Sequence, residues 1–194
     1  MTDRLTKSDW VNHGLRTLAN DGANALKVGP MATQLKVSRG SFYWHFRDIA
    51  DFRAHLLRGW QERTTDRVIR AIEAEAEPDR LKHLMRRAFD VKRGSDWATS
   101  YYEWGAERAI RSWAGEDADV AIVVASVDAG RVAYIAKLLV AAGAQGQLAL
   151  HRATFIYWAY LGQAIVMDPR HSSIAASAMD DISDLFEKVN VRKP

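Results

Sequence analysis

Apolar positions recur at three- and four-residue spacing along nearly all of this 194-residue chain, and no segment alternates as a half-buried strand does. The pattern predicts an all-α fold. Trp10, Val11, Gly14, Leu15, Leu18 and Ala19 form one face of a first helix. Thr6 can cap that helix, with Asp9 as the acidic partner of a capping box, and Asn20-Asp21-Gly22 stops it. A short second helix follows Gly29-Pro30 and gives Met31, Ala32 and Leu35 to the core. Lys36-Val37 is the turn, and Ser38 is a good N-cap for a third short helix from Arg39 to about His45. Asp48 caps a long fourth helix whose buried stripe is Phe52, Leu56 and Trp60.

The remainder reads as a second helical unit. Pro78-Asp79 opens a helix with Leu81, Leu84, Met85, Ala88 and Phe89 on its core face, and Lys92 to Asp96 breaks it. An aromatic-rich helix from Trp97 to about Trp113 ends at Gly115-Glu116-Asp117. Long helices follow from about Ala118 to Ala142 and from about Gln147 to Met167, separated by Gly143. Asp168-Pro169 ends the second of these, and a last helix spans roughly Ser173 to Val189. There is no internal repeat, and no Gly/Ser/Pro-rich linker separates the halves, so the fourth helix is expected to pass directly from head to body.

Charge sharpens this division. Residues 1–60 carry nine Lys and Arg against five Asp and Glu, whereas residues 61–194 carry 18 against 19. A basic first third on a near-neutral remainder suits a phosphate-binding head on a separate body. The absence of cysteine excludes disulfides, thiolate zinc sites and a catalytic thiol, and fits a reducing compartment. The longest apolar stretch, around Ala153 to Met167, contains Gly162 and Gln163 and falls short of the roughly 20 residues a membrane span needs. A soluble, cytoplasmic protein is expected, with no membrane partner.

The informative stretch runs from Met31 to Phe46. Two short helices joined by a turn, the second too short to be stable alone, form the unit that presents a helix to the DNA major groove. Ala32 is small where the helices cross, Leu35 and Val37 tie the turn to the core, and Phe42 with Phe46 fixes the third helix from behind. Arg39, Ser41, Tyr43, Trp44 and His45 are left outward or at the edges. Arg39 can fork onto a guanine edge, Ser41 can reach base or phosphate, and the Tyr43 hydroxyl and His45 ring can donate to phosphate oxygens. Trp44 can contact a thymine methyl or sugar, or pack on the helix surface.

These residues resemble the tetracycline-repressor (TetR) family of bacterial regulators. The matching pattern is a first helix ending in Asp21-Gly22, then Ala32-x-x-Leu35-x-Val37-Ser38-x-Gly40-Ser41-Phe42-Tyr43-x-His45-Phe46, with Phe52 on the next helix; it covers residues 5 to about 60. The resemblance implies a head at residues 1–47 that binds double-stranded DNA and a helical body at 48–194 that binds a small-molecule effector and dimerises through its last two helices. It puts Tyr43 and His45 on the DNA backbone and Arg39, Gly40 and Ser41 toward bases, with Ser38, Trp44 and Arg47 beside them. Three positions depart from the family pattern. The turn residue usually held by Gly is Lys36, where a left-handed conformation costs roughly 1 kcal/mol. Val28-Gly29-Pro30 lacks the polar side chains that many members use to reach DNA, so Lys27 is the nearest substitute. Ile49 stands where a phosphate-binding Lys is common, and Arg47 and Arg53 can compensate.

In the body, rigid rings with polar edges suit a pocket for flat or greasy ligands, and Trp97, Tyr101, Tyr102, Trp104, Tyr134 and Trp158 are its candidate lining. Asp128 and Arg131, three apart in an apolar helix, are read as a surface salt bridge, the alternative being a buried pair lining the pocket. Phe155, Ile156, Ala159, Gly162, Ile165 and Val166, with Ile174, Ala178, Ile182, Leu185, Phe186 and Val189, give stripes that would build a four-helix bundle with a second copy. Nothing points to an enzyme. There is no glycine-rich phosphate loop, Gly-x-Ser-x-Gly elbow or paired-His motif, and Glu116-Asp117-Asp119 and Asp180-Asp181-Asp184 look like a loop and a solvated face. No cofactor or metal is implied. The expected function is a transcriptional regulator, a repressor released from a palindromic operator by its ligand.

Overall fold

The first helix, α1 (Lys7–Asp21), starts where the sequence allows two reciprocal bonds. The Asp9 N–H donates to Thr6 Oγ1 at 3.2 Å, and the Thr6 N–H donates to the Asp9 carboxylate at 2.7 Å, completing a capping box. After α1 comes a 3-10 turn (Ala23–Ala25), then α2 (Val28–Gln34), α3 (Arg39–Tyr43) and α4 (Ile49–Gln61). A π-helical turn (Glu62–Asp66) joins α4 to α5 (Arg67–Glu73), so the fourth helix of the sequence reading carries an irregularity. Beyond lie α6 (Arg80–Phe89), α7 (Trp97–Ala114), α8 (Ala118–Ala141), α9 (Gly146–Val166) and α10 (Ala176–Glu187). This computed structural model describes residues 5–76, 79–89, 97–166 and 174–187, and not the side chains of 97–103, 164–166 and 176. Among the described residues there is no strand, and no helix is long and apolar enough to cross a membrane. The fold is all-helical, as expected.

Two compact units divide the chain. One comprises residues 1–64 and 98–125, the other 65–97 and 126–194. In the first, α1 crosses α4 at Gly14, where a Cβ would lie 2.5 Å from Phe52 Cζ, so only glycine lets the helices approach this closely. Trp10, Leu18, Phe42, Phe52 and Leu56 are fully buried around that crossing. The predicted Asp48 cap is present: its carboxylate accepts from the Asp51 N–H at 2.8 Å. Further along α4, the Trp60 indole donates to buried Glu107 of α7 at 2.8 Å, and Arg111 grips the same carboxylate at 2.7 and 2.9 Å.

In the second unit, Leu81, Met85 and Phe89 of α6 pack with Leu138 and Leu139 of α8, Ile156 of α9 and Met179 of α10. Charge clamps α10 onto α6. Arg86 forks onto Asp180 at 2.6 and 2.5 Å, and Lys82 meets Asp184 at 2.8 Å. The breaks read from sequence at 92–96 and 168–169, and Val189, lie outside the described residues.

Two helices end in the same six-residue motif. After α8, Gly143 at φ 96° donates to the Val140 carbonyl and Ala144 to that of Leu139. After α2, Lys36 at φ 57° donates to the Thr33 carbonyl at 3.1 Å and Val37 to that of Ala32 at 3.0 Å. The turn thus holds a lysine in left-handed conformation, as its place in the sequence pattern required. Lys36→Gly is expected to stabilise the chain by about 1 kcal/mol in urea unfolding, because it removes the Cβ clash.

The caps set a pH expectation. Hydrogen bonds from the Thr6 hydroxyl and then its N–H hold Asp9 below the ordinary aspartate value of 3.8, and the Arg47 N–H does the same for Asp51. Carboxylates held down in the folded chain stabilise it above their unfolded value, and that contribution disappears as pH falls through the lower folded value. Both carboxyls are therefore expected to titrate by NMR with midpoints under 3.8; a midpoint at or above it would mean the caps do not form in solution.

Candidate nucleic-acid interface

Phe42 and Phe46 are four residues apart and so share a helix face. That face is buried: Phe42 is 0% and Phe46 2% exposed. The Phe42 ring lies 5.3 Å from Trp10, 5.0 Å from Phe46 and 5.4 Å from Phe52, mostly edge to face, and Phe46 lies 5.0 Å from Phe52. A five-residue helix has no stability of its own, so this cluster decides which way α3 points.

The opposite side is turned to solvent. Tyr43 is 59% and Trp44 76% exposed, Ser38, Arg39 and Gly40 are exposed, and Ser41 is half-buried. The Phe42 ring braces Tyr43 edge-on at 5.3 Å. Ser38 occupies the N-cap position with extended backbone, but its side chain makes no cap bond, so its hydroxyl is not committed to the helix end. Electrostatics favour an anion here. From Gly22 to Arg47 the sequence carries Lys27, Lys36, Arg39 and Arg47, and no carboxylate. All four are exposed, and Lys27 is the N-cap of α2 without a side-chain cap bond.

Two details were not legible in the sequence. The Arg39 guanidinium lies against the first turn of α2, where a Cβ on Gly29 would stand 3.0 Å from Nη2 and 3.2 Å from Nε. The missing side chain at Gly29 makes room for the arginine expected to reach bases. His45 Nε2 donates to the Leu5 carbonyl at 2.8 Å, which ties the start of the described chain to the end of α3. With Nε2–H committed there, His45 can donate to a phosphate only through Nδ1–H, which makes the ring an imidazolium.

The aromatic residues of the body fall in different places. Trp104 belongs to the first unit and is half-buried, while Tyr134 and Trp158 belong to the second. Tyr134 sits in the core of that unit with Lys137 5.8 Å above its ring, and Trp158 is 66% exposed on α9. The side chains of Trp97, Tyr101 and Tyr102 lie outside the described residues. Arg131 is not the surface salt-bridge partner the sequence suggested: it is only 8% exposed, because α8 turns this position into the core.

No protein-family model matches the sequence, and no curated protein does. Solved structures do match its fold. A transcriptional regulator from Rhodococcus sp. Rha1 aligns at TM-score 0.67 and 14% identity, over 94% of each chain. A structure described as a TetR-family transcriptional regulator from Rhodococcus sp. aligns at TM-score 0.66 and 18% identity, over 94% of this chain and 98% of that one. A third, described as a transcriptional regulator from Saccharomonospora viridis in complex with choline, aligns at 0.64 and 15%, over 95% and 96%. Across nearly its whole length, the chain shares the fold of these three regulators, one of which is described as TetR-family.

Proposed function

We propose that this chain is a cytoplasmic, sequence-specific DNA-binding regulator that represses transcription as a homodimer on a palindromic site and is released by a small-molecule effector. The observation that carries the reading is the two-sidedness of α3 and the turn that follows it: Phe42 and Phe46 are buried, while Tyr43 and Trp44 stand exposed within an acid-free, basic stretch. Neighbouring large rings left in solvent are surface that a partner covers, and cations without carboxylates between them select a polyanion. Residues 1–47 are the DNA-binding head and 48–194 the effector-binding and dimerising body. In the head, Lys27, Ser38, Tyr43, His45 and Arg47 meet phosphates, and Arg39, Gly40, Ser41 and Trp44 face the groove.

Self-association is supported by a second exposed face. On α9, Phe155 is 59% and Trp158 66% exposed, with exposed Ala159 one turn after Phe155, and Leu185 of α10 is 66% exposed. Gly162 follows on α9, and a Cβ there would meet nothing within 4 Å, so the chain's own packing gives no reason for a mid-helix glycine. Close approach of a second helix does. Trp158 accordingly belongs to the dimer face rather than to a pocket. An effector site in the helical body would take a flat or cationic organic molecule, the class that aromatic ring faces and polar edges suit. The choline complex of a protein with this fold supports that class.

The test is selection of binding sites from a random duplex pool at near-physiological salt. The expected product is a palindrome with half-sites about one helical turn apart or slightly more. On that site, Tyr43→Phe is expected to weaken binding to all sequences alike, and Arg39→Ala to cost about 1–3 kcal/mol at one base pair and flatten the preference there. If both variants bind as the parent does, α3 is not the recognition helix. Separately, Trp158→Glu is expected to turn the dimer into a monomer in sedimentation equilibrium; an intact dimer would remove α9 from the interface.

A further inference from the structure

His45 stands in the turn after α3, between exposed Trp44 and buried Phe46, and its ring is engaged at one nitrogen only. Nε2 donates to the Leu5 carbonyl at 2.8 Å. The partner fixes the tautomer, because a carbonyl oxygen can only accept. Nδ1 makes no hydrogen bond among the described residues, and it is open to solvent. In the neutral ring that nitrogen carries a lone pair and can only accept.

The nearby histidines are placed differently. His55 of α4 accepts from Lys7 Nζ at Nε2, 2.9 Å away, and donates from Nδ1 to the Asp51 carbonyl at 2.8 Å, so both its nitrogens are engaged within the protein. His13 Nε2 of α1 lies 2.8 Å from the Gln34 side-chain oxygen of α2. Charged groups reach His45 from each neighbouring element. From α1 come Asp9, whose carboxylate lies within electrostatic reach of the ring, and Lys7, whose ammonium is 5.2 Å from the centroid of Phe46. Phe46 lies next to both His45 and His55, at 6.2 and 5.3 Å between ring centroids. Tyr43 precedes His45 on α3, and Arg47, Asp48 and Asp51 follow it at the start of α4. Asp9 favours an imidazolium here, and Lys7 and Arg47 oppose it.

A DNA phosphate oxygen accepts hydrogen bonds and repels a lone pair. His45 has two ways to meet one. It can give up Leu5 and turn Nε2–H outward, or hold Leu5 and take a proton on Nδ1. The second course keeps the bond between the approach to α1 and the end of α3, and makes a charge-assisted bond to the phosphate. Building on the reading of this chain as a DNA-binding regulator, we propose that each head takes up one proton at His45 Nδ1 as it closes on a phosphate, so that DNA affinity is coupled to pH. The direction follows from linkage: a group that binds more proton in the complex than in the free protein makes affinity rise as pH falls.

The experiment measures DNA affinity of the full-length protein by fluorescence anisotropy at fixed salt, from about pH 6 to about pH 8, the span in which imidazole changes charge. The duplex is the selected operator, and also an arbitrary duplex at low salt, since a phosphate contact needs no base sequence. Affinity is expected to fall at least about tenfold across that span, and by no more than about tenfold per pH unit for each head. His45→Gln keeps an N–H for the Leu5 carbonyl and cannot take a proton. It is expected to bind more weakly at the acid end and to lose that slope, while His13 and His55 remain in place. Nitrogen NMR of the histidine rings is expected to show His45 with its N–H at Nε2 in the free protein and with both nitrogens protonated in the complex. A merely structural His45, needed only to hold Leu5, would leave the slope intact in the variant and the ring neutral in the complex. Either result, or a flat profile in the parent, overturns the proposal. Should His45→Gln not fold, the protonation state of the ring in the parent complex decides. DNA binding with a neutral His45 overturns the proton coupling alone, whereas a parent that binds neither duplex overturns the functional reading and the coupling with it.

Discussion

The exposed face of α3 depends on the burial of one ring. α3 has five residues, far below the length at which a helix persists in water, and its N-cap serine makes no side-chain bond. It exists because Phe42 reaches a site closed by Trp10, Phe46 and Phe52, where removing it from water is worth about 2–3 kcal/mol. Once that ring is seated, helical geometry leaves no choice for the rest: Arg39, Gly40 and Tyr43 must face outward. The same rings pack α1 against α4, which approach each other through Gly14, so the core and the exposed face of α3 have a common origin.

What was legible in the sequence is what local physics decides. The Thr6–Asp9 box, the Asp48 cap, the Phe52–Leu56–Trp60 stripe and the left-handed Lys36 all depend on residues within a few positions of one another, and each stands where its pattern placed it. The boundaries of α7, α8 and α9 agree to within a residue or so for the same reason. The serine at position 38 shows the limit even there. Its backbone takes the cap conformation the sequence signals, but whether the hydroxyl closes on the helix or stays open is a rotamer choice that spacing does not encode.

What escaped the sequence is long-range pairing. Arg131 and Thr65 are 66 positions apart and Trp60 and Glu107 are 47 apart, so no window of sequence contains either pair. An arginine three residues from an aspartate on a helix reads most simply as a surface pair, and only the burial of α8 at that point overturns it. The π turn escaped for a related reason. Glu62-Arg63-Thr64-Thr65-Asp66 has no feature that forbids α geometry, so no local pattern signals the irregularity.

The departures from the family pattern have a physical reading once Gly29 and Arg39 are considered together. Loss of a polar side chain at the start of α2 looks, position by position, like a loss of DNA contacts. In three dimensions the guanidinium of Arg39 lies beside Gly29, close enough that a Cβ there would have to push it aside by a few tenths of an ångström. The arginine is braced along α2 instead of projecting alone from α3. A long side chain that would otherwise lose much rotamer freedom on binding has already lost part of it. Lys36 works in the same direction, because it places a charge in the turn where glycine has none, at the expense of about 1 kcal/mol of backbone strain. Both departures concentrate positive charge on and around α3 instead of polar groups on α2.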